Sequence, residues 1–366
     1  MPIDRAAMAA IAAALAPFRP RVAAALANVG MLASSGISAR QMARAMPQII
    51  THAVPIDALG VFWSSAEGLM TDGWSELPSL LSSATLRSSA DYRTTRKYGW
   101  PTFGENVLAG PGAGMLPPRQ DEEFYASAFY AGSFGAGGMR HILDGVVHDG
   151  NRPWGCFLLM RRSERGRFDE QEIAAAAAIG QLSIPAFMQA DAPRPATRRF
   201  SGGVISSGAD GSIAFRNLAA HQSLWMLARD NDRPLSDQGD DSFDDLYRRF
   251  CAEGAAIAQK TGGHREEHGN RWGAFVLNYA RSGDGGVIVT IDQMLPFACH
   301  LAARIAGLDL SPRRVMVCWL LVLGHSRKDI AFLLDVGIDT VNEHISALFA
   351  RFGAGTAVDL VRAFSD

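Results

Sequence analysis

At 366 residues the chain exceeds the ~250–300 residues that one hydrophobic core accommodates, so two or three domains are expected. Apolar residues make up 48% and charged residues 20%, an ordinary globular balance, and a net charge of −2 excludes a globally basic coat or an acidic tail. The cysteines Cys156, Cys251, Cys299 and Cys318 form no Cys-x-x-Cys pair, which excludes zinc ribbons and thioredoxin-like motifs and fits reduced thiols in a cytoplasmic protein.

Residues 4 to 34 read as helix, interrupted near Pro17 and Pro20, because proline removes a backbone donor and clashes inside a helix. Ala6 to Ala16, after Arg5, has the composition of a signal-peptide core. Arg19 and Arg21 follow at once, and an Ala-rich helix is expected instead. The small residues of the helices in 4–34 suit close helix approach, either between protomers or within one domain. A second helix is expected from Ala39 to Ala53, and a strand from Ile56 to Trp63.

A long polar-aromatic stretch follows, with Trp63, Trp74, Tyr92, Tyr98, Trp100, Phe103, Phe124, Tyr125, Phe129 and Tyr130 set among Gly104, Gly110, Gly112 and Gly114. Long Gly/Pro-rich segments in a compact domain are usually lids or binding loops, and rings bearing a hydroxyl or indole donor suit a mostly apolar ligand. The expected ligand-binding residues are Trp63, Tyr92, Tyr98, Trp100, Phe103, Phe124, Tyr125 and Phe129, with His141 and Trp154 from the strands beyond. Core aromatics under long loops are the competing reading.

Strands are expected at Met139–Val147 and Trp154–Met160, joined by the turn His148-Asp149-Gly150-Asn151, with a helix from Glu170 to Phe187. Ile142-Leu143-Asp144-Gly145-Val146, Arg152-Pro153-Trp154-Gly155-Cys156-Phe157 and Phe168-Asp169-Glu170-Gln171-Glu172 together are similar to the last third of GAF domains. That resemblance implies small-molecule binding. Cys156 with His141 or His148 could form a nucleophile and base, although a thiol on an apolar strand is ordinarily inert packing.

Residues 191–200, rich in Pro, Ala and Arg, read as a linker whose Arg194, Arg198 and Arg199 are solvated. Gly203-Val204-Ile205, then Ala209 to Asn217 with its Asp210-Gly211 turn, resemble the start of a PAS domain. Helices at Leu218–Leu227 and Phe243–Ala258 and strands at Arg271–Tyr279 and Gly286–Ile291 would complete it. Two histidines four apart in His264-Arg265-Glu266-Glu267-His268 could share a helix face and hold zinc, but glycines on both sides favour a hairpin loop. A helix from Met294 to Ile305 is expected to pass rigidly into the last domain.

In that last domain Ser311-Pro312 signals a helix start, Val315, Val317, Leu320 and Leu321 crowd one side, and a short helix buries Ile330, Leu333 and Leu334. The break Asp335-Val336-Gly337 precedes a third helix with Val341, Ile345, Leu348 and Phe352 at helical spacing. The longest apolar run, Val315 to Gly324, is about half a membrane span of ~20 residues, so no membrane partner is expected. Leu310-Ser311-Pro312-Arg313, Gly324, Ser326-Arg327-Lys328-Asp329-Ile330-Ala331, Thr340-Val341-Asn342-Glu343-His344 and Arg351-Phe352-Gly353 together resemble the LuxR-type DNA-binding domain. The departures are Arg314 for an acidic residue, Gly337 for a capping Ser and Asn342 for a Lys, which removes one phosphate contact.

The resemblance implies that Lys328, Thr340 and His344 hold phosphates, with Arg351 also on the DNA-binding side, and that Asp339, Asn342, Glu343 and Ser346 meet bases. The expected architecture is α+β and multidomain: a GAF-like sensor at 1–190, the linker 191–200, a PAS-like module at 201–293, a connecting helix at 294–309 and an all-α four-helix reader at 310–366. The expected function is a ligand-responsive transcriptional regulator, not an enzyme, with no cofactor. Its expected partners are double-stranded promoter DNA, a small-molecule effector and a second copy of the chain, with RNA polymerase if it activates. Few cations in a charge-balanced reader make pairing necessary for affinity. The alternatives are thiol or metal chemistry in the GAF-like block, or a ligand-free regulator controlled by a protein partner.

Overall fold

The computed structural model describes residues 3–116, 122–191, 198–229 and 242–365, except the side chains of Ser83, Tyr92, Arg93, Thr94, Arg198, Phe200, Ser201 and Ser365. Helix α1 (Arg5–Leu15) starts at Asp4, whose carboxylate accepts from the Ala7 N–H at 2.8 Å. Proline opens α2 (Pro20–Ser34), so the interruption falls where expected. The expected helix Ala39–Ala53 is instead two pieces, α3 (Ala39–Met42) and α4 (Met46–Ile50). Pro47 can stand only in a first turn, and a new helix starts there.

The first sheet holds β1 (Ala58–Ser64), β2 (Met70–Ser75), β3 (Gly112–Leu116), β4 (His141–His148) and β5 (Pro153–Arg161), all antiparallel in the order β2-β1-β5-β4-β3. Between β2 and β4 the polar-aromatic stretch is mostly helical rather than looped. A 3-10 turn (Pro78–Leu81) leads into α5 (Ser83–Ala90), α6 (Tyr92–Lys97) and α7 (Phe103–Leu108), and β3 is followed by α8 (Glu122–Tyr125) and α9 (Ala128–Gly132). Helix α10 (Glu170–Met188) closes the block behind a capping box of Asp169 and Glu172. It lies so close to the sheet that a Cβ on Gly180 would stand 2.4 Å from the Val146 carbonyl oxygen. Small residues are the condition of that approach, which explains the Ala-rich helix.

The second sheet holds β6 (Arg198–Ser207), β7 (Ile213–Arg216), β8 (Gly263–Asn270), β9 (Gly273–Arg281) and β10 (Val287–Leu295), in the order β7-β6-β10-β9-β8. In both sheets the strands lie second, first, fifth, fourth, third, although no sequence repeat marks the two blocks. Strand β6 begins inside the stretch read as linker, of which 192–197 lie outside the described residues. The helix expected at Phe243–Ala258 is split at Cys251 into α12 (Phe243–Phe250) and α13 (Ala252–Thr261), while α11 (Leu218–Ala228) is continuous. The charged stretch His264–His268 is strand β8, not a loop. An edge strand tolerates charge on both faces.

Strand β10 runs on to Leu295, so the connecting helix α14 (Phe297–Ala306) starts later than expected. It also stops at Gly307, short of the reader, so no continuous helix joins the two. The C-terminal segment, expected to be the reader, is α15 (Pro312–Val322), α16 (Arg327–Leu334), α17 (Ile338–Phe352) and α18 (Ala357–Ser365). Helix α2 is the shared scaffold. Every residue from Ala25 to Ala33 is buried, against α10, α14 and α15. Its small residues thus serve close packing within one chain. Among the described residues no helix is long and apolar enough to cross a membrane.

Candidate functional site

The four C-terminal helices are built by local signals. Ser311 accepts from the Arg314 N–H, and Ser326 and Asp329 form a reciprocal capping box at the start of α16. Asp335 ends α16 in the left-handed region (φ 52°), a conformation that Asp adopts more readily than most residues. Helix α17 then buries Val341, Ile345 and Leu348 and exposes Asp339, Glu343 and Ser346, with Thr340, Asn342 and His344 half-buried beside them. Lys328 is exposed in the first turn of α16.

Two details depart from the sequence reading. Arg351 donates to the Asp309 carbonyl at 3.1 Å and so faces the junction with α14. It lies eleven residues beyond Thr340, about 16 Å along the helix axis. Arg327, not singled out earlier, donates to Asn342 Oδ1 at 2.9 Å. A guanidinium from α16 thus stands beside the position where a lysine was missing, and only the packing of α16 on α17 shows it. Burial lowers the His344 pKa below its ordinary value, and Arg314 and Arg313 lower it further against the pull of Glu343.

The first sheet carries an apolar cavity, partly open to solvent, between β1, β5 and the helices α5, α7 and α9. Phe62 and Cys156 stand opposite each other across β1 and β5 and line it together with Leu158. From the aromatic stretch come Trp100, Phe103 and Phe129. Trp100 is 6% exposed, and its indole N–H has no hydrogen-bond partner among the described residues. Asn106, also in the lining, donates to the Asp144 carboxylate at 2.6 Å, and the Gly114 N–H donates to it at 2.8 Å. Burial raises the Asp144 carboxyl above the usual range against those two donors.

The expected ligand residues therefore divide. Phe124 backs Trp100 with ring centroids 5.4 Å apart and does not line the cavity. Tyr98 packs behind Phe124, and Tyr125 donates to the Arg140 carbonyl at 3.1 Å under the Arg140 guanidinium. Trp63 points to the opposite face of β1, because side chains alternate along a strand, and meets Phe187 and Trp272. Trp154 is held at the hairpin tip, its indole N–H donating to Asp149 at 2.9 Å. His141 pairs across the sheet with Arg161 at the far end of β4. The Tyr92 side chain lies outside the described residues.

Cys156 is 2% exposed, and burial, aided by Asp144, pushes its thiol well above the ordinary range. Neither His141, opposite Arg161, nor His148, opposite Pro153, is its cross-strand neighbour. On β8 both His264 and His268 meet Glu266, at 3.0 and 3.1 Å. Among the described residues no group of three His, Cys, Asp or Glu is arranged to hold a metal ion.

No family model matches this chain, and no curated protein matches it in sequence. Among solved structures it is similar to the phage VqmA–DPO complex, at 17% identity over 44% of this chain and 81% of that one, with a TM-score of 0.19. A Vibrio cholerae VqmA dimer, described with LuxR-type receptors, is 18% identical over 45% of this chain and 81% of its own, with a TM-score of 0.18. SdiA in complex with octanoyl-rac-glycerol is 13% identical over 45% and 80% of the two chains, with a TM-score of 0.16. TM-scores this low lend the likeness no weight for function.

Proposed function

We propose that the chain is a sequence-specific DNA-binding transcriptional regulator of LuxR type that responds to a small, partly apolar effector. The observation that carries the reading is the exposed row Asp339, Glu343 and Ser346 on α17, flanked by Lys328, Arg327 and Asn342. A helix with that face lies in a major groove, where Asn pairs with adenine and Glu accepts from cytosine. The effector site is the cavity lined by Trp100, Phe103 and Phe129, in a GAF-like block followed by a PAS-like module. Two copies bind a two-fold site, and effector occupancy shifts the population towards the arrangement that spaces the two readers correctly. Activation, through RNA polymerase, is preferred to repression on the resemblance alone.

The test is selection of binding sites from random duplex DNA by the purified full-length chain. Asn342→Ala and Glu343→Ala are then measured on the selected site. Sequence preference that survives both changes unaltered would sink the assignment of the reading face. The rival reading, thiol chemistry at Cys156, is disfavoured by a buried thiol held in its protonated form.

A further inference from the structure

A second cavity, partly open to solvent, lies on the seam between the two sheets. Its wall is shared. Trp74 and Ser75 at the end of β2, with Leu81 of the 3-10 turn, form one side, and His221, Gln222 and Trp225 of α11 form the other. A cleft between domains flanked by aromatic side chains is a common setting for small-molecule sites.

The seam is tied elsewhere, which keeps the cavity open. Asp72, fully buried on β2, accepts from Arg40 at 2.8 Å and pairs with Arg271 of the second module at 3.1 Å. Arg44 donates to Ser223 of α11 at 2.9 Å. Across the seam itself, Gln222 Nε2 reaches the Ser75 carbonyl at 3.4 Å, the long end of a hydrogen bond.

The lining chooses its ligand chemistry. Trp74 is 2% exposed, and its indole N–H has no hydrogen-bond partner among the described residues. A buried donor left unpaired is rare in a native interior and calls for an acceptor. The Arg229 guanidinium stands 5.0 Å over the Trp225 ring and closes one end of the lining. Two indoles, with Leu81 and Pro78, offer flat apolar surface.

We propose that this seam cavity is a second ligand site, for a ring-bearing apolar molecule with an oxygen acceptor that takes its hydrogen bond from Trp74. Such a ligand touches both modules at once. It favours the arrangement in which α11 sits against β2, whatever occupies the Trp100 cavity and whether or not DNA is bound.

The probe is prodan, a naphthyl ketone with one carbonyl acceptor and an emission sensitive to polarity and hydrogen bonding, titrated into the full-length protein. Ser89→Trp fills the Trp100 cavity and Gln222→Trp fills the seam. In Ser89→Trp the expected result is one equivalent of bound prodan with blue-shifted emission, and adding Gln222→Trp abolishes it. Trp74→Phe, which keeps a ring but removes the donor, is the milder variant. In the Ser89→Trp background it weakens binding fivefold to tenfold, the worth of about one hydrogen bond. Loss of all prodan binding in Ser89→Trp alone, or no binding to the wild-type chain, overturns the proposal. So does an affinity that neither Gln222→Trp nor Trp74→Phe alters. Loss of DNA binding leaves these readouts untouched, so failure of the regulator reading is distinguishable.

Discussion

Asn28 on α2 and Trp319 on α15 lie 291 positions apart and share a buried hydrogen bond of 2.8 Å, from the indole N–H to the amide oxygen. The same amide donates to the Ala302 carbonyl of α14 at 2.7 Å. One side chain, 1% exposed, thus joins the N-terminal helices, the connector and the reader. The Asn28→Leu variant keeps the volume and strands the Trp319 donor in an apolar interior. An unpaired buried donor costs roughly 1–3 kcal/mol, to be read from urea denaturation of the full chain. An unchanged midpoint would show that the contact contributes nothing.

On the reading face, Asn342→Ala and Glu343→Ala are expected to cost about 1–3 kcal/mol each on the selected site and to relax preference at single base positions. Lys328→Ala should weaken binding evenly across sequences and reduce the salt slope by about 1. Arg327→Ala should do both, because Arg327 also holds Asn342. Binding measured against mismatched sites at several salt concentrations separates these outcomes.

If His344 meets a phosphate as proposed, DNA binding is expected to depend on pH. Burial, then Arg314 and Arg313, lower its pKa in the free protein, whereas a phosphate beside it in the complex would raise it. The complex then binds protons more tightly than the free chain, so affinity grows as pH falls between the pKa of the complex and the depressed pKa of the free protein, and levels off above the former. For folding the sign is opposite. A depressed histidine pKa favours the folded state at higher pH, and that contribution falls as pH drops through the ordinary value. His344→Gln should flatten the pH slope of binding, and a slope unchanged in that variant would remove His344 from the phosphate contacts.

For the Trp100 cavity, an effector present at about 100 times its dissociation constant should stabilise the chain by ~2.7 kcal/mol. Ser89→Trp fills the space and should abolish the shift while leaving DNA binding by the ligand-free protein intact. A full shift in that variant would place the effector elsewhere.

Asp72 holds the seam. It is fully buried, and Asp72→Asn leaves Arg40 and Arg271 short of their shared counter-charge. Arg40 keeps Asp191 as a second partner, so a loss of roughly 3 kcal/mol is expected, at the low end for breaking a buried pair. Differential scanning calorimetry should show it, and two separated transitions would report uncoupled modules.

The C-terminal helices were legible because their signals are local. Ser311, Ser326 and Gly324 mark helix ends within a few residues, and Val341, Ile345 and Leu348 make a stripe on one helix. Strands β2 and β3 were not legible. Met70–Ser75 contains Asp72 and Gly73, Gly112–Leu116 contains two glycines, and both are strands only because β1 and β4 pair with them. The stretch His264–His268 was misread for the related reason that an edge strand needs no apolar alternation.

The two halves of the ligand question divide in the same way. Composition marked residues 92–130 as rich in aromatics, since residue type is carried by the chain itself. Which rings share a cavity depends on strand parity and on contacts between distant segments. Phe62 and Trp63 are neighbours in sequence, yet one lines the cavity and the other meets Trp272 of the second module. Helix boundaries and the reader's buried stripe follow from interactions over one or two turns. The seam, the Asn28 junction and the placing of Arg327 beside Asn342 are long-range pairings, set when separate elements bury their apolar faces together.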